Sequence, residues 1–141
     1  MRAVNNLLQK CKIVDFPAVL DARGALTFIE QNNHVPFEIK RVYYLYDVPS
    51  GATRAAHAHK ELHQLYICLS GSMDVHLDDG ANKKTVHLNR PHYGFYLYPG
   101  IWRHIDNFSS NSVLLVLTSE LYDEQDYIRD YDEYLGFRGL S

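Results

Sequence analysis

Short runs of apolar, β-branched and aromatic residues recur along most of the chain, and glycine, proline, asparagine or aspartate separates them. The pattern predicts strands over residues 13–16, 25–30, 39–48, 64–69, 72–77, 83–88, 95–98, 101–108 and 113–119. Turns are expected at residues 21–24, 49–51 and 78–82. Many short strands joined by turns are typical of an all-β sandwich or barrel, and we expect that fold class.

The hydrophobic period changes near the C-terminus. The apolar positions there follow helical spacing, at Tyr127, Ile128, Tyr131, Tyr134 and Leu135. This spacing predicts a helix over about residues 123–136, with Asp123 as its N-cap, docked on the barrel. Residues 1–10 carry little pattern and are expected to form a loose arm. A length of 141 residues favours a single domain that spans residues 1–141.

Three histidines lie close together in the segment 57–63. In a strand, side chains alternate between the two faces, so His57, His59 and His63 would share one face with Glu61. The alanine and leucine side chains between them would face the other way. A helix would scatter the first two histidines, because positions two apart do not share a helical face. The pattern therefore predicts a strand at the mouth of a barrel, with a site inside it.

Composition narrows the range of partners. The formal net charge is −3, so the chain lacks the basic surface on which nucleic-acid binding depends. An anionic ligand would have to be bound by a few local arginines. The sequence shows no signal peptide, and no apolar run reaches the roughly 18 residues of a transmembrane helix. Cys11 and Cys68 are too few for a disulfide scaffold. We therefore expect a cytoplasmic protein that binds neither nucleic acid nor membrane.

Two blocks of the sequence resemble the two motifs of the cupin superfamily. The first block lies within residues 51–71 and the second within residues 94–107. The resemblance implies a cupin jelly roll, or double-stranded β-helix, here with a short C-terminal helix. Cupins commonly bind a metal through two histidines and a glutamate of the first block and a histidine of the second. In this chain His63 approaches the glutamate position, and the spacing before His104 is one residue longer than usual.

A closer resemblance is to the nucleotide-sugar 3,4-ketoisomerases, the WxcM-like cupins, and it extends over about residues 12–135. Its most specific motifs are Arg54-x-x-His57-Ala58-His59-Lys60 and Tyr122-Asp123-Glu124-x-Asp126-Tyr127-Ile128-Arg129. The resemblance implies an isomerase that converts dTDP-4-keto-6-deoxyglucose into its 3-keto isomer, on the way to amino-deoxy sugars of bacterial glycans. It also implies that the enzyme uses no metal and no cofactor. The implied partners are the dTDP-linked keto-deoxysugar and a second copy of the chain, in a homodimer that could exchange N-terminal strands.

Moving a ketone by one carbon needs a base beside the carbonyl, a group that stabilises the enediolate and a proton donor. Histidine can take and give a proton near neutral pH. By resemblance, His57 is the base, and His59 shuttles a proton or holds the oxyanion. Tyr43 could relay protons to a sugar oxygen. Arg41 shares a strand face with Tyr43 and could bind a diphosphate through two parallel hydrogen bonds.

Further residues of the resemblance are expected to bind substrate. The pair Arg23-Gly24 resembles the version associated with a galacto-configured product, and we expect that product. The family usually has a histidine directly after the tryptophan, where this chain has Arg103. Either His104 takes that role from the next position, or Arg103 faces the diphosphate. The other residues expected to bind substrate are Arg54, Lys60, Gln64 and Trp102.

Three alternative functions follow from the same residues. A metal-binding cupin, either an oxygenase or a sugar-binding module, would use His57, His59, His63 and His104 as imidazole ligands. A nucleotide-sugar 3,5-epimerase-like enzyme would abstract a proton by the same logic, although the histidine block fits it less well. A non-catalytic carbohydrate-binding domain would not depend on the imidazoles for proton transfer.

Overall fold

The regular structure is mostly β-strand in the computed structural model, which describes residues 6–140. The strands are β1 (Lys12–Asp15), β2 (Ala18–Asp21), β3 (Gly24–Thr27), β4 (Arg41–Leu45), β5 (Arg54–His59), β6 (Gln64–Ser70), β7 (Met73–Asp78), β8 (Lys83–Leu88), β9 (Tyr93–Leu97), β10 (Trp102–Asp106), β11 (Val113–Thr118) and β12 (Tyr127–Ile128). One α-helix, α1 (Tyr131–Phe137), follows them. The predicted all-β class with a short C-terminal helix is confirmed.

Two five-stranded antiparallel sheets form the jelly roll. Their strand orders are β1-β9-β6-β11-β4 and β12-β5-β10-β7-β8, and β2 and β3 form a separate hairpin. The largest buried cluster joins the facing sides of the two sheets, with Tyr66, Phe95 and Val116 from one sheet and Val75 and Ile105 from the other. Alternation along the strands explains this arrangement, because every second side chain points between the sheets.

The other side of the first sheet is also apolar. Leu65, Ile67 and Tyr96 pack there against Phe16 and Phe37, which come from the segments on either side of the β2–β3 hairpin. By contrast, β7 and β10 alternate between buried and half-buried positions, so the second sheet keeps a polar outer face. The outer face of the first sheet is therefore covered by other segments of the chain. The polar outer face of the second sheet stays in contact with solvent.

The C-terminal segment differs from the prediction of one helix over about residues 123–136. Asp123 does act as an N-cap, but for a 3-10 helix at Glu124–Asp126. The chain then extends as β12 and pairs with Ala58 and His59 of β5. The α-helix begins after a second cap, Asp130, whose carboxylate accepts a hydrogen bond from the backbone N–H of Glu133. Pairing with β5 therefore overrides the helical periodicity at Tyr127–Ile128.

The expected N-terminal arm is only partly within the described residues. Residues 1–5 of the expected arm lie outside them. Leu7–Lys10 form a 3-10 helix with Leu8 buried, so this part of the arm is docked on the jelly roll. No helix among residues 6–140 is long and apolar enough to cross a membrane.

Candidate active site

A cavity of about 320 Å³ opens between the two sheets, at one end of the jelly roll. Strands β4 and β5 supply four residues that the sequence analysis predicts to form the site. Arg41 and Tyr43 come from β4, and Arg54 and His57 come from β5. Apolar side chains form the floor, and the C-terminal segment closes one wall. The structure therefore brings together four of the residues that the sequence selected as a catalytic and substrate-binding set.

His57 and His59 lie side by side on the inner face of β5. Their Nε2 atoms are 3.1 Å apart and their rings meet edge to face. His57 lines the cavity, whereas His59 is 1% exposed and lies behind it. The register between β5 and β10 shifts just before His57, where Ala55 has a φ of 63°. A bulge of this kind redirects the side chains that follow it, and here it turns His57 toward the cavity.

Asp126 holds the second histidine. Its Oδ2 lies 3.0 Å from the Nδ1 of His59, and the same carboxylate accepts hydrogen bonds from the backbone N–H groups of Glu61 and Leu62. An ionised carboxylate can only accept, so Nδ1 of His59 donates and its Nε2 carries a lone pair. Nε2 of His57 then donates to that lone pair, and Nδ1 of His57 remains free to take a proton.

Both imidazoles are neutral at neutral pH. Burial is the largest cause, and it lowers the pKa of His57 to about 3, with the charges of Arg103 and Arg129 adding to the effect. Burial also lowers the pKa of His59, as do the charge of Arg103 and the neighbouring His57. A general base must be unprotonated before it acts, and this pair satisfies that requirement.

Tyr43 is oriented by a buried polar chain. Gln64 donates from Nε2 to the Tyr43 hydroxyl oxygen at 3.0 Å and accepts on Oε1 from Nη1 of Arg103. Arg103 is fully buried, also donates to Tyr66 and to the backbone oxygen of Ile101, and has an unpartnered Nη2. Burial raises the pKa of Tyr43, so its phenol stays protonated. Because the hydroxyl oxygen already accepts from Gln64, its proton is free to reach a ligand in the cavity.

Cationic and aromatic side chains surround the mouth of the cavity. The guanidinium of Arg41 lies over the rings of Tyr43 and Tyr122, and that of Arg129 lies 4.3 Å from the ring centroid of Tyr127. Arginines offer paired N–H donors that match phosphate oxygens, and aromatic faces can stack on a nucleobase. The arrangement suits a ligand that carries both a diphosphate and a planar ring.

Several of these residues were not selected from the sequence. Tyr122, Asp126, Tyr127 and Arg129 all belong to the tail motif that carried the family resemblance. The helical periodicity predicts one helix over about residues 123–136, and that prediction gives Asp126, Tyr127 and Arg129 no role in the site. The signal that could have found them is Asp130, a second cap residue that leaves Tyr127 and Ile128 outside the helix.

Three residues predicted to bind substrate lie on β10, and their side chains point to two different faces of the sheet. Arg103 points inward but has no exposed surface, so it contacts Gln64 and Tyr66 rather than a ligand. Trp102 and His104 point outward, where Trp102 packs against Tyr131 and Tyr134 of α1 and His104 stacks on His76. The structure therefore does not bring Trp102 or His104 to the cavity, because the alternation of β10 places Arg103 inside.

Other selected residues also lie outside the cavity lining. Lys60 is exposed beyond the end of β5, and Gln64 is buried behind Tyr43. Arg23 and Gly24 lie on the β2–β3 hairpin, where Arg23 is 90% exposed and forms an ion pair with Asp21. His63 does not share the face of His57, because the chain bends after His59.

His63 lies instead in an aromatic cluster beside the first sheet. Its Nδ1 is 2.6 Å from the hydroxyl of Tyr96, and its ring also contacts Phe37 and Tyr98. The alternative metal site would need His63 and His104 beside the buried pair. The structure separates both from His57 and His59.

The chain is similar to known proteins in both sequence and fold. A family model described as "FdtA: WxcM-like, C-terminal" matches residues 9–139. The TDP-4-oxo-6-deoxy-alpha-D-glucose-3,4-oxoisomerase of Aneurinibacillus thermoaerophilus is 46% identical over 123 residues, which are 87% of this chain and 88% of that protein.

Solved structures of similar proteins cover nearly the whole fold. QdtA, a sugar 3,4-ketoisomerase from Thermoanaerobacterium thermosaccharolyticum in complex with TDP, is 44% identical, with a TM-score of 0.91 over 94% of this chain and 96% of that one. The WlaRB TDP-quinovose 3,4-ketoisomerase of Campylobacter jejuni is 49% identical, with a TM-score of 0.87 over 91% of this chain and 98% of that one.

The lowered pKa values of His57 and His59 should make the folded chain less stable in acid. Each imidazole titrates near pH 6.5 in an unfolded chain, whereas the folded pKa of His57 is about 3. Between these values the unfolded chain binds more protons, so the free energy of unfolding falls as the pH drops. Urea titrations at about pH 7 and about pH 5 measure this fall. His57→Asn should show a smaller fall, and an equal fall in that variant would contradict the assignment.

Proposed function

The chain belongs to the FdtA, WxcM-like family, and we infer that it is a TDP-sugar 3,4-ketoisomerase. It moves the keto group of TDP-4-keto-6-deoxyglucose from carbon 4 to carbon 3. The observation that carries this inference is the neutral pair His57–His59, of which His57 lines a cavity with arginines at its mouth. A proton-transfer enzyme with an anionic substrate requires both features.

We propose that His57 acts as the base. It removes the proton from carbon 3, and the electrons of that C–H bond form a C3–C4 double bond while the carbon 4 oxygen becomes anionic. A proton then returns to carbon 4, the proton of the carbon 3 hydroxyl moves to the carbon 4 oxygen, and the ketone forms at carbon 3. No atom is gained or lost. Tyr43, with its phenol proton directed away from Gln64, is placed to relay a proton between the two sugar oxygens.

The charge that appears during this reaction has a partner on each side. When His57 takes a proton at Nδ1, it can release the Nε2 proton toward His59, and the resulting positive charge lies next to the Asp126 carboxylate. The negative charge of the enediolate lies in the field of the buried Arg103. Fixed charges that are already oriented before the reaction stabilise a charged intermediate more than water does.

The nucleotide end of the substrate is assigned to the mouth of the cavity. Arg41 and Arg54 provide cations for the diphosphate, and Tyr122 and Tyr127 offer aromatic faces for the base. Arg129 borders the same mouth, but its Nε and Nη2 already donate to Glu124. We propose that no metal or cofactor takes part. The support is chemical, because the buried guanidinium of Arg103 beside the histidines would repel a metal cation.

The configuration at carbon 4 distinguishes two products. The resemblance of Arg23-Gly24 supports the galacto-configured 3-keto sugar, which we propose. A gluco-configured product is the second candidate, because one similar enzyme is a TDP-quinovose ketoisomerase and quinovose has the gluco configuration. The NMR coupling constant between the protons H4 and H5 distinguishes the two products. It is small when H4 is equatorial, as in the galacto product, and large in the gluco product.

We also propose a homodimer with N-terminal hairpins exchanged. The β2–β3 hairpin carries exposed apolar side chains, with Val19 57%, Leu20 73% and Leu26 59% exposed. Exposed apolar patches of this kind usually mark an interface. Arg23 is on the same hairpin and does not line the cavity of its own chain. Docking of the hairpin on a second copy would bury the leucines and could bring Arg23 to that copy's substrate.

Replacing the proposed base tests the reaction directly. His57→Asn should lower kcat by about 10²–10⁴-fold, because an amide cannot accept the proton. Affinity for TDP should change little, since the diphosphate residues are untouched. NMR of TDP-4-keto-6-deoxyglucose in deuterated water should show the 3-keto product and solvent deuterium in the sugar ring. A variant with unchanged kcat would refute His57 as the base, and turnover by the native enzyme without deuterium uptake would count heavily against it.

The carboxylate behind the histidines is a positioning residue. Asp126→Asn should lower kcat by about 10²-fold with a smaller change in KM, because an amide can no longer fix the proton on Nδ1 of His59. Its amide oxygen can still accept from a backbone N–H, so the fold should persist. The matched control is Asp132→Asn, an exposed position of α1. NMR of the His59 ring nitrogens should show a changed tautomer, and unchanged kcat would contradict the role.

Assembly through the hairpin is tested by placing a charge on it. Leu20→Asp should convert the native dimer into a monomer in analytical ultracentrifugation, because burying an unpaired carboxylate at an apolar interface is costly. Ser110→Asp adds the same charge at an exposed turn and should leave the dimer intact. A native chain that sediments as a monomer would eliminate the proposed dimer.

A further inference from the structure

The outer face of the second sheet, on the side away from the cavity, carries imidazoles and carboxylates that have no role in the proposed reaction. His76 of β7 lies opposite His104 of β10 on one side and Thr85 of β8 on the other. One row along, Asp106 follows on β10. All four side chains stand on the solvent side of the sheet, because the neighbouring residues Arg103 and Ile105 point inward.

The distances within this group are those of a built cluster. Nε2 of His76 lies 2.6 Å from Oδ1 of Asp106, and the rings of His76 and His104 stack at 4.5 Å between centroids. One potential ligand atom from each of His76, His104 and Asp106 lies within 4.8 Å of the others. The three side chains are half-buried, so contacts with neighbouring residues partly order them.

Thr85 orients the imidazole ring of His76. Its hydroxyl lies 2.9 Å from Nδ1 of His76. An ionised carboxylate only accepts, so in this structure Nε2 of His76 donates to Asp106 and the Thr85 hydroxyl donates to Nδ1. When a metal ion takes the place of the proton on Nε2, the ring carries its proton on Nδ1 and donates it to the Thr85 hydroxyl oxygen. Histidines that bind metals nearly always donate their other N–H to such a partner.

We propose that His76, His104 and Asp106 bind one divalent transition metal ion, with Thr85 orienting His76. Two imidazoles and a carboxylate suit zinc, cobalt, nickel or copper better than magnesium or calcium. Metal–nitrogen bonds of about 2.0–2.1 Å require ligand atoms roughly 3.3 Å apart in a tetrahedral site. The present distance of 2.6 Å between His76 and Asp106 is shorter than this spacing, and the ligand atoms of the three residues lie within 4.8 Å of one another, so binding requires Asp106 and His104 to rotate.

The ion joins β7 to β10 across the sheet surface. It lies on the face of β10 opposite Arg103, so it does not enter the cavity or touch the reacting sugar. Its expected effect is on stability. A ligand that binds the folded chain alone raises the free energy of unfolding in proportion to the logarithm of its concentration over its dissociation constant.

Titration of the chelator-treated, full-length protein with Co²⁺ and Zn²⁺ tests the site. We expect one ion per chain, a visible Co²⁺ absorption typical of nitrogen and oxygen ligands, and a Tm that rises with Zn²⁺. His76→Ala and His104→Ala should each weaken binding by at least about tenfold, and Thr85→Val by about tenfold. Asp106→Asn serves as a conservative variant if an alanine change disturbs the fold.

Two control variants separate this site from other histidines. His92→Ala, at an exposed turn, should leave metal binding unchanged. His57→Asn should also leave it unchanged, whereas loss of binding in that variant would place the ion in the cavity and overturn the proposal. Absence of stoichiometric binding, or binding that survives both His76→Ala and His104→Ala, would overturn it as well. Isomerase activity in the presence of chelator should be unaffected.

Discussion

The carboxylate of Asp126 is the contact on which the site depends. It accepts hydrogen bonds from the ring of His59 and from the backbone of Glu61 and Leu62, where β5 ends. The same anchoring starts β12, which pairs with Ala58 and His59 and so covers an edge of β5 that would otherwise be open. Tyr127 and Arg129 reach the cavity because of that pairing. A local side-chain contact thus fixes both the tautomer of a histidine and one wall of the cavity.

Arg103 sets the electrostatic character of the interior. A buried guanidinium is costly unless it is hydrogen-bonded, and Gln64, Tyr66 and the backbone of Ile101 provide most of its partners. Burial lowers the pKa values of His57 and His59, and the charge of Arg103 lowers them further. The resting site therefore combines a fixed cation with neutral bases, and that cation stabilises the anionic enediolate.

The sequence was sufficient for the central pair of histidines and for every strand of the two sheets except β12, and it missed β2 of the hairpin. Alternation with a period of two placed His57 and His59 on one face, and it also grouped Trp102 with His104. It failed at His63, because the backbone after His59 turns to bond Asp126 and the alternation does not continue across a bend. It also could not orient β10. Burying Arg103 depends on Gln64 and Tyr66, which lie far away in the sequence and whose contacts with it only the fold reveals.

The orientation of β10 explains why the metal-binding cupin alternative loses support here. In the general cupin pattern a histidine of the second motif points inward to complete a metal site. This chain has Arg103 at the inward position and His104 one residue later, on the opposite face. A shift of one residue on a strand moves a side chain across the sheet. The interior therefore has a permanent cation, Arg103, which disfavours binding of a metal ion there. The imidazole of His104 lies instead on the outer surface beside His76 and Asp106, in a group of side chains that favours metal binding.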